Sequence, residues 1–279
     1  MSWQTSRYRI DLSRPRVMGI VNVTPDSFSD GGLYARPADA LAHCERLVAE
    51  GADILDIGGE STRPGARAPD TAEELARVRP VLAHALTLGL PVSVDTSDPA
   101  VMRAAIDLGV DIVNDVRALQ RPGAVEVLAA HPAAGVCLMH MRGEPGEMQQ
   151  DPVYTDVVVE VRDFLRARWQ ALAAAGIADE RIVLDPGIGF GKTVAHNLTL
   201  VRGLSLLHGL GAAVLFGASR KRFIGTIGGA DRPEARLPGS IAVALEALRQ
   251  GVQVIRVHDV AETRQAMALW TALNGDGRD

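Results

Sequence analysis

Eight short apolar runs in this chain end in, or are interrupted by, side chains able to do chemistry. Asn22 closes the first run, and Glu60, Ser61, Thr62, Arg63 and Pro64 follow the second. Asp95 ends the third, Asn114 and Asp115 lie in the fourth, and Met139, His140 and Arg142 close the fifth. Asp185 ends the sixth, Ser219, Arg220, Lys221 and Arg222 follow the seventh, and Arg256 and His258 occupy the last. Arg63, Lys221, Arg256 and His258 suit an anion, since the planar guanidinium fork matches phosphate. Asn22, Asp26 and Asp30 offer oxygens to Mg2+, an ion that usually shares its ligands with a phosphate. Turn formation is the competing use of the two aspartates. Asp95, Asn114 and Asp185 supply carboxylate and amide groups that can read the donor–acceptor edge of a flat heterocycle. A buried structural salt bridge is the alternative for Asp185. Asn114 and Arg256 stand inside apolar runs, where a solvated loop does not account for them. Burying a charge is costly without a partner, so Arg256 requires an anionic one, and a ligand is a good candidate.

The runs themselves are "VMGIVNV" (17–23), "DILDIGG" (53–59), "PVSVDT" (91–96), "DIVNDV" (111–116), "GVCLMH" (135–140), "RIVLDP" (181–186), "AVLFGAS" (213–219) and "VQVIRVH" (252–258). Their nearly continuous hydrophobicity marks strands buried on both faces. Helical patterns alternate with them. One starts after Pro37 and stops at Gly51. Another opens on Thr71 and Glu74 at capping-box spacing, ends at Gly89, and carries a Pro80 that predicts a kink or break. Further patterns cover 98–109, 124–131, 156–176, 197–210, 240–251 and 261–274. Strand then helix, eight times, is the (β/α)8 TIM-barrel count, in a single domain over residues 1–279. An open doubly wound sheet is the rival, and it binds at one switch point rather than at every strand end.

Composition narrows the class. A chain of 279 residues, 47% hydrophobic, builds one large core. Its net charge of −5 argues against a non-specific nucleic-acid binder. No apolar run reaches the ~18 residues of a membrane helix, and the first residues lack the apolar region of a signal peptide. Cys44 and Cys137 form no CxxC, which excludes a thiolate zinc site and points to a reducing, cytoplasmic compartment. "DPGIGFGKT" (185–193) looks like a phosphate loop, but Pro186 stands where that motif requires Gly. Its glycines instead shape a βα loop. His43, His84, His131 and His208 fall on helices or their ends, and His196 reads as a cap-region residue. His258, and less clearly His140, are placed for function.

The blocks "MGIVNVTPDSFSDGG", "DILDIGGESTRPGA", "SVDTS", "DIVNDV", "CLMHMRG", "LDPGIGFGKT", "GASRKRFIG" and "IRVHDV" stand in order along the chain. Together they resemble the dihydropteroate synthase family of the folate pathway, from about Val17 to about Leu273. The resemblance implies a TIM-barrel transferase, usually a homodimer, needing Mg2+. It would join (7,8-dihydropterin-6-yl)methyl diphosphate to p-aminobenzoate, which sulfonamides mimic, and release diphosphate. Carried over, Asp95, Asn114, Met139, Asp185, Phe190, Gly217 and Lys221 would bind the pterin. Asn22, Thr62, Arg63, Arg256 and His258 would hold the diphosphate, with Asn22 also on the metal. Phe28, Thr62, Pro64, Lys221 and Arg222 would border p-aminobenzoate, although many members have Ser where Arg222 stands. Asp95, Lys221, Arg63, Arg256 and His258 would carry catalysis. On this resemblance the Asn22–Gly32 segment is expected to act as a lid, with pterin diphosphate binding before p-aminobenzoate. A pterin-binding methyltransferase module and a non-catalytic paralogue are the rivals. The former has no need of "TPDSFSDGG" and "SRKRFIG".

Overall fold

The computed structural model describes residues 1–24, 37–61, 67–144, 147–148 and 151–274. Eight strands form where the apolar runs lie: β3 (Arg16–Asn22), β4 (Ile54–Gly58), β5 (Val92–Asp95), β6 (Ile112–Asp115), β7 (Gly135–Met139), β8 (Ile182–Asp185), β9 (Ala213–Phe216) and β10 (Val254–Val257). They form a closed barrel in the order β10-β3-β4-β5-β6-β7-β8-β9. Every pairing within it is parallel, which is the TIM-barrel architecture.

Side chains along each strand alternate between the barrel interior and the helix layer. One parity (Val17, Val21, Leu55, Ile57, Val94, Leu138, Leu184 and Phe216 among others) joins the main core under the helices. The other parity begins apolar: Met18, Ile54, Ile112, Cys137, Val183, Leu215 and Val254 form a separate cluster. Two residues further along that parity stand Asp56, Asn114, Asp185 and Arg256. The interior therefore turns from apolar to polar toward the C-terminal ends of the strands.

A hairpin absent from the sequence-based expectation packs on the apolar end. Its strands, β1 (Ser2–Gln4) and β2 (Arg9–Asp11), pair antiparallel. Trp3 is buried in the interior cluster and donates its indole N–H to the Arg181 carbonyl at 2.9 Å.

The helices are α1 (Pro37–Ala49), α2 (Thr71–Ala85), α3 (Pro99–Leu108), α4 (Ala124–Ala130), α5 (Val157–Ala174), α6 (Val194–Arg202), α7 (Arg222–Gly228), α8 (Leu237–Arg249) and α9 (Val260–Asn274). Four details correct the sequence reading. The N-cap of α2 is Asp70, whose carboxylate accepts from the Glu73 N–H at 2.8 Å; Thr71 instead donates to Asp98 at 2.5 Å. The helix runs through Pro80. The carbonyl that a residue-80 N–H would have met is that of Ala76, and both residues lie on the exposed face, where water can serve it. The 197–210 pattern splits at Gly203 into α6 and a 3-10 turn over Leu204–Leu210. Glycines within "RFIGTIG" hid α7. His196 completes a capping box with Thr193 at the start of α6, as its position suggested.

Candidate active site

Asp56, Asp95, Asn114 and Arg256 meet inside the polar end of the barrel. Arg256 Nε donates to Asp56 Oδ2 at 2.6 Å, and Nη2 to Asp95 Oδ2 at 2.8 Å. Asn114 Nδ2 donates to the same Asp56 oxygen at 3.1 Å. Where the sequence reading names a ligand as the anionic partner of Arg256, two protein carboxylates also hold it in place. Burial opposes the Arg256 charge, but Asp56 and Asp95 outweigh that and raise its pKa. For Asp95 burial dominates and raises the pKa; Arg256 opposes the rise, while Asp56 and Glu60 add to it. Asp56 is wholly buried, and its Oδ1 has no hydrogen-bond partner among the described residues. Two carboxyl groups share one guanidinium, beside the unsatisfied Asp56 acceptor.

Asp185 forms the facing wall. Its Oδ1 accepts the Gly187 N–H at 2.7 Å, and no salt bridge engages it among the described residues. Burial raises its pKa to about 6, against the Gly187 hydrogen bond and the charges of Arg256, Lys221 and Lys192. The loop that follows depends on its glycines. Gly187, Gly189 and Gly191 have φ of +67°, +81° and +62°. A Cβ at 187 would collide with the His140 carbonyl oxygen, and one at 191 with that of Arg142. This loop sets Phe190 against Met139 and Val116. The Lys221 ammonium lies 3.9 Å from the Phe190 ring centroid, a cation–π contact. Burial, then Arg256, lowers the Lys221 pKa to about 8. At Gly217 a Cβ would sit 3.8 Å from both Arg256 and Asp185 Oδ2, so glycine keeps this wall open.

Toward the mouth, His258 stands two residues beyond Arg256 and is half-buried. Its Nδ1 is 3.0 Å from Ser219 Oγ, which also accepts the His258 N–H at 3.2 Å. Asn22 ends β3 opposite Gly58, half-buried. Lys221 is the N-cap of α7, and Arg222 begins that helix with its side chain exposed. Phe28, Thr62, Arg63 and Pro64, with Asp26, Asp30 and most of the expected lid, lie outside the described residues. His140 is a supporting residue. It is buried, edge-on to Phe164 at 4.9 Å, and burial followed by Lys192 lowers its pKa to about 2.

The chain matches the pterin binding enzyme family across residues 18–258. It is 53% identical over 274 residues to the dihydropteroate synthase of Neisseria meningitidis serogroup C, covering 97% of each chain. The chain belongs to the dihydropteroate synthase family of pterin binding enzymes. Two solved synthases share its shape. That of Yersinia pestis, in complex with a sulfonamide drug, has a TM-score of 0.93 at 46% identity, over 98% of this chain and 99% of its own. That of Xanthomonas albilineans, with 4-aminobenzoic acid, has a TM-score of 0.92 at 49% identity, over 99% of both chains.

Against this family background, Asp56 and Arg117 are side chains that escaped the sequence reading. Asp56 carries the same inward parity as Gly58 and Ile54, and that parity was the available clue. Arg117 pairs with Glu60 at 3.4 Å and with Glu144 at 2.9 Å at the synthase's mouth. Its two partners follow β4 and β7 while it follows β6 itself, so no local spacing announces it. A prediction follows from the loop geometry. Gly187→Ala combines a positive φ with a backbone collision, so it should cost about 2 kcal/mol or more in stability. It should also weaken pterin binding, read by pterin fluorescence at a temperature where the variant is folded.

Proposed function

We infer that this chain joins (7,8-dihydropterin-6-yl)methyl diphosphate to p-aminobenzoate, giving 7,8-dihydropteroate and diphosphate. The observation that carries this reading is the polar barrel interior of a dihydropteroate synthase-like chain, where Asp95, Asn114 and Asp185 surround a space walled by Gly217 and Phe190. Asp185, when ionised, accepts hydrogen bonds from the amino and ring N–H groups of the pterin. Asn114 offers both a donor and an acceptor. Its amide is held by Asp56, so its direction is set before the ligand arrives.

The C–O bond to diphosphate breaks first, and its electron pair leaves with the diphosphate. The pterin nitrogens delocalise the charge left on the methylene carbon, and the Asp56 and Asp95 carboxyl oxygens, held by Arg256, favour it electrostatically. The aniline nitrogen of p-aminobenzoate then forms the C–N bond. Its proton passes to diphosphate or solvent. Arg63 and His258, with Asn22 and Thr62, are the proposed diphosphate ligands. Phe28, Thr62, Pro64, Lys221 and the Arg222 N–H are proposed to border p-aminobenzoate.

Mg2+ fits this site as a shared ion. Among the described residues no group of three His, Cys, Asp or Glu side chains could hold a metal, while Asn22 offers an amide oxygen. That donor set suits an ion that keeps diphosphate and water oxygens. When bound, Mg2+ would neutralise the leaving group. A homodimer pairing through roughly residues 195–250 is supported by the exposed Leu206 and Ile227 within that stretch. Among the described residues no helix is long and apolar enough to cross a membrane, and the buried free cysteines accord with the proposed cytoplasmic site.

The test is product formation. Purified protein with both substrates and Mg2+ is expected to give dihydropteroate and diphosphate in equal amounts by mass spectrometry. Pterin binding without dihydropteroate would favour the non-catalytic paralogue or the methyltransferase module instead.

A further inference from the structure

We propose that Lys192 is a positioning residue of the pterin site: its buried ammonium ties the loop after Asp185 to the end of β7 and so fixes Asp185 and Phe190. The inference rests on the pterin-site reading above. Lys192 is only 2% exposed. Its Nζ lies 2.8 Å from the Gly187 carbonyl oxygen, 3.0 Å from that of Phe190 and 3.4 Å from that of His140. It is also 2.9 Å from His140 Nδ1. An ammonium has three donors and no acceptor, so the site is saturated from within the protein. The lysine of this phosphate-loop-like motif is occupied by its own backbone rather than by a ligand.

Each contact leads to a residue that faces the pterin space. Gly187, whose carbonyl accepts a hydrogen bond from Lys192, donates its own N–H to Asp185 Oδ1 at 2.7 Å. Phe190, whose carbonyl accepts another, holds its ring beneath Lys221. His140, at the end of β7, donates its N–H to the Asp185 carbonyl at 3.0 Å. Burial keeps His140 neutral, and because an ammonium can only donate, the ring carries its proton on Nε2 and Nδ1 accepts. The charged groups facing Lys192 are Asp185 on β8, Lys221 at the start of α7 and Arg142 after β7. Burial lowers the Lys192 pKa to about 7, Asp185 opposes this, and the two other cations add to it. The donor geometry, which satisfies the charge at the loop carbonyls, is what assigns the role.

Lys192→Met keeps the aliphatic stem and removes the ammonium; Lys192→Gln keeps one donor. The probes are 6-hydroxymethylpterin, followed by fluorescence, and inorganic diphosphate with Mg2+, followed by calorimetry. In Lys192→Met the Kd for the pterin should rise about tenfold or more, as expected for losing a charged hydrogen-bond anchor. Lys192→Gln should lie between it and the unaltered protein. Diphosphate affinity should stay within about twofold, since positioning acts only on the pterin wall. If Lys192→Met does not fold, Lys192→Gln carries the same comparison. Unchanged pterin affinity in a folded but less stable variant would show that the lysine merely supports the fold, and would overturn the proposal. Equal loss of pterin and diphosphate affinity would overturn it too. Failure of the unaltered protein to bind pterin would instead remove the site reading on which it rests.

Discussion

Arg256→Met should destabilise the protein by about 3–5 kcal/mol, because removing one partner of a buried ion cluster leaves the others uncompensated. Asp56 is fully buried and accepts from Arg256 at 2.6 Å; Asp95 accepts from it at 2.8 Å. Without the guanidinium, both carboxylates face each other and the remaining acidic groups in a poorly solvated interior. Turnover should also be lost, since the cluster orients Asn114 and Asp95. The sign of the pH dependence follows from linkage. Asp95 already has a raised pKa in the folded protein, chiefly from burial, and loss of Arg256 raises it further. Such a group favours folding below its unfolded pKa and ceases to do so as pH rises through its folded value. The stability gap between variant and unaltered protein should therefore be smallest below about pH 8, where Asp95 carries its proton in both, and widen as pH rises above that. Urea unfolding across pH reads this directly. Adding Asp56→Asn to the Arg256 variant should restore part of the stability, because one of the two orphaned charges is gone.

Asp185→Asn should have the opposite profile: little change in stability and a large loss of ligand. The amide oxygen can still accept the Gly187 N–H, and no salt bridge is broken. What disappears is the charged acceptor for the pterin's N–H donors. Hydrogen bonds to charged groups contribute about 1.5–3 kcal/mol each, so pterin affinity should fall roughly 10- to 100-fold. Because the Asp185 pKa is raised to about 6, the acid is progressively neutral below that pH in the ligand-free protein. Pterin affinity should then drop with falling pH, approaching tenfold per unit well below the pKa. In Asp185→Asn that dependence should be absent. A variant that binds pterin normally at pH 8 would remove Asp185 from the site.

The barrel was legible because each strand is a short apolar run closed by polar residues, and parallel strands buried on both faces leave that pattern. Asn114, Asp185 and Arg256 were legible as polar interruptions of such runs. The partner of Arg256 was not. Asp56 lies 200 residues away in sequence, and only closure of the sheet through the β10–β3 pairing brings β4 within one strand of β10. Inward parity, counted two residues at a time along every strand, would have placed both in one layer. Lys192 was missed for another reason. Three of its acceptors are main-chain carbonyls, and these have no side-chain signature. The β1–β2 hairpin has strands too short to show periodicity. Pro80 misled because a proline on an exposed helix face leaves its orphaned carbonyl to water.

The polar end of the barrel is expected to stabilise a pterin-methylene cation, so that the C–O bond breaks before p-aminobenzoate attacks. The most direct measurement uses dihydropterin-methyl diphosphate carrying oxygen-18 at the ester position, with the protein and Mg2+ but no p-aminobenzoate. Reversible cleavage should scramble the label into the non-bridging oxygens and release some diphosphate slowly. Adding p-aminobenzoate should divert the same intermediate into dihydropteroate. A label that stays in place while the protein turns over normally with both substrates would contradict the claim, and would require attack and departure in a single step.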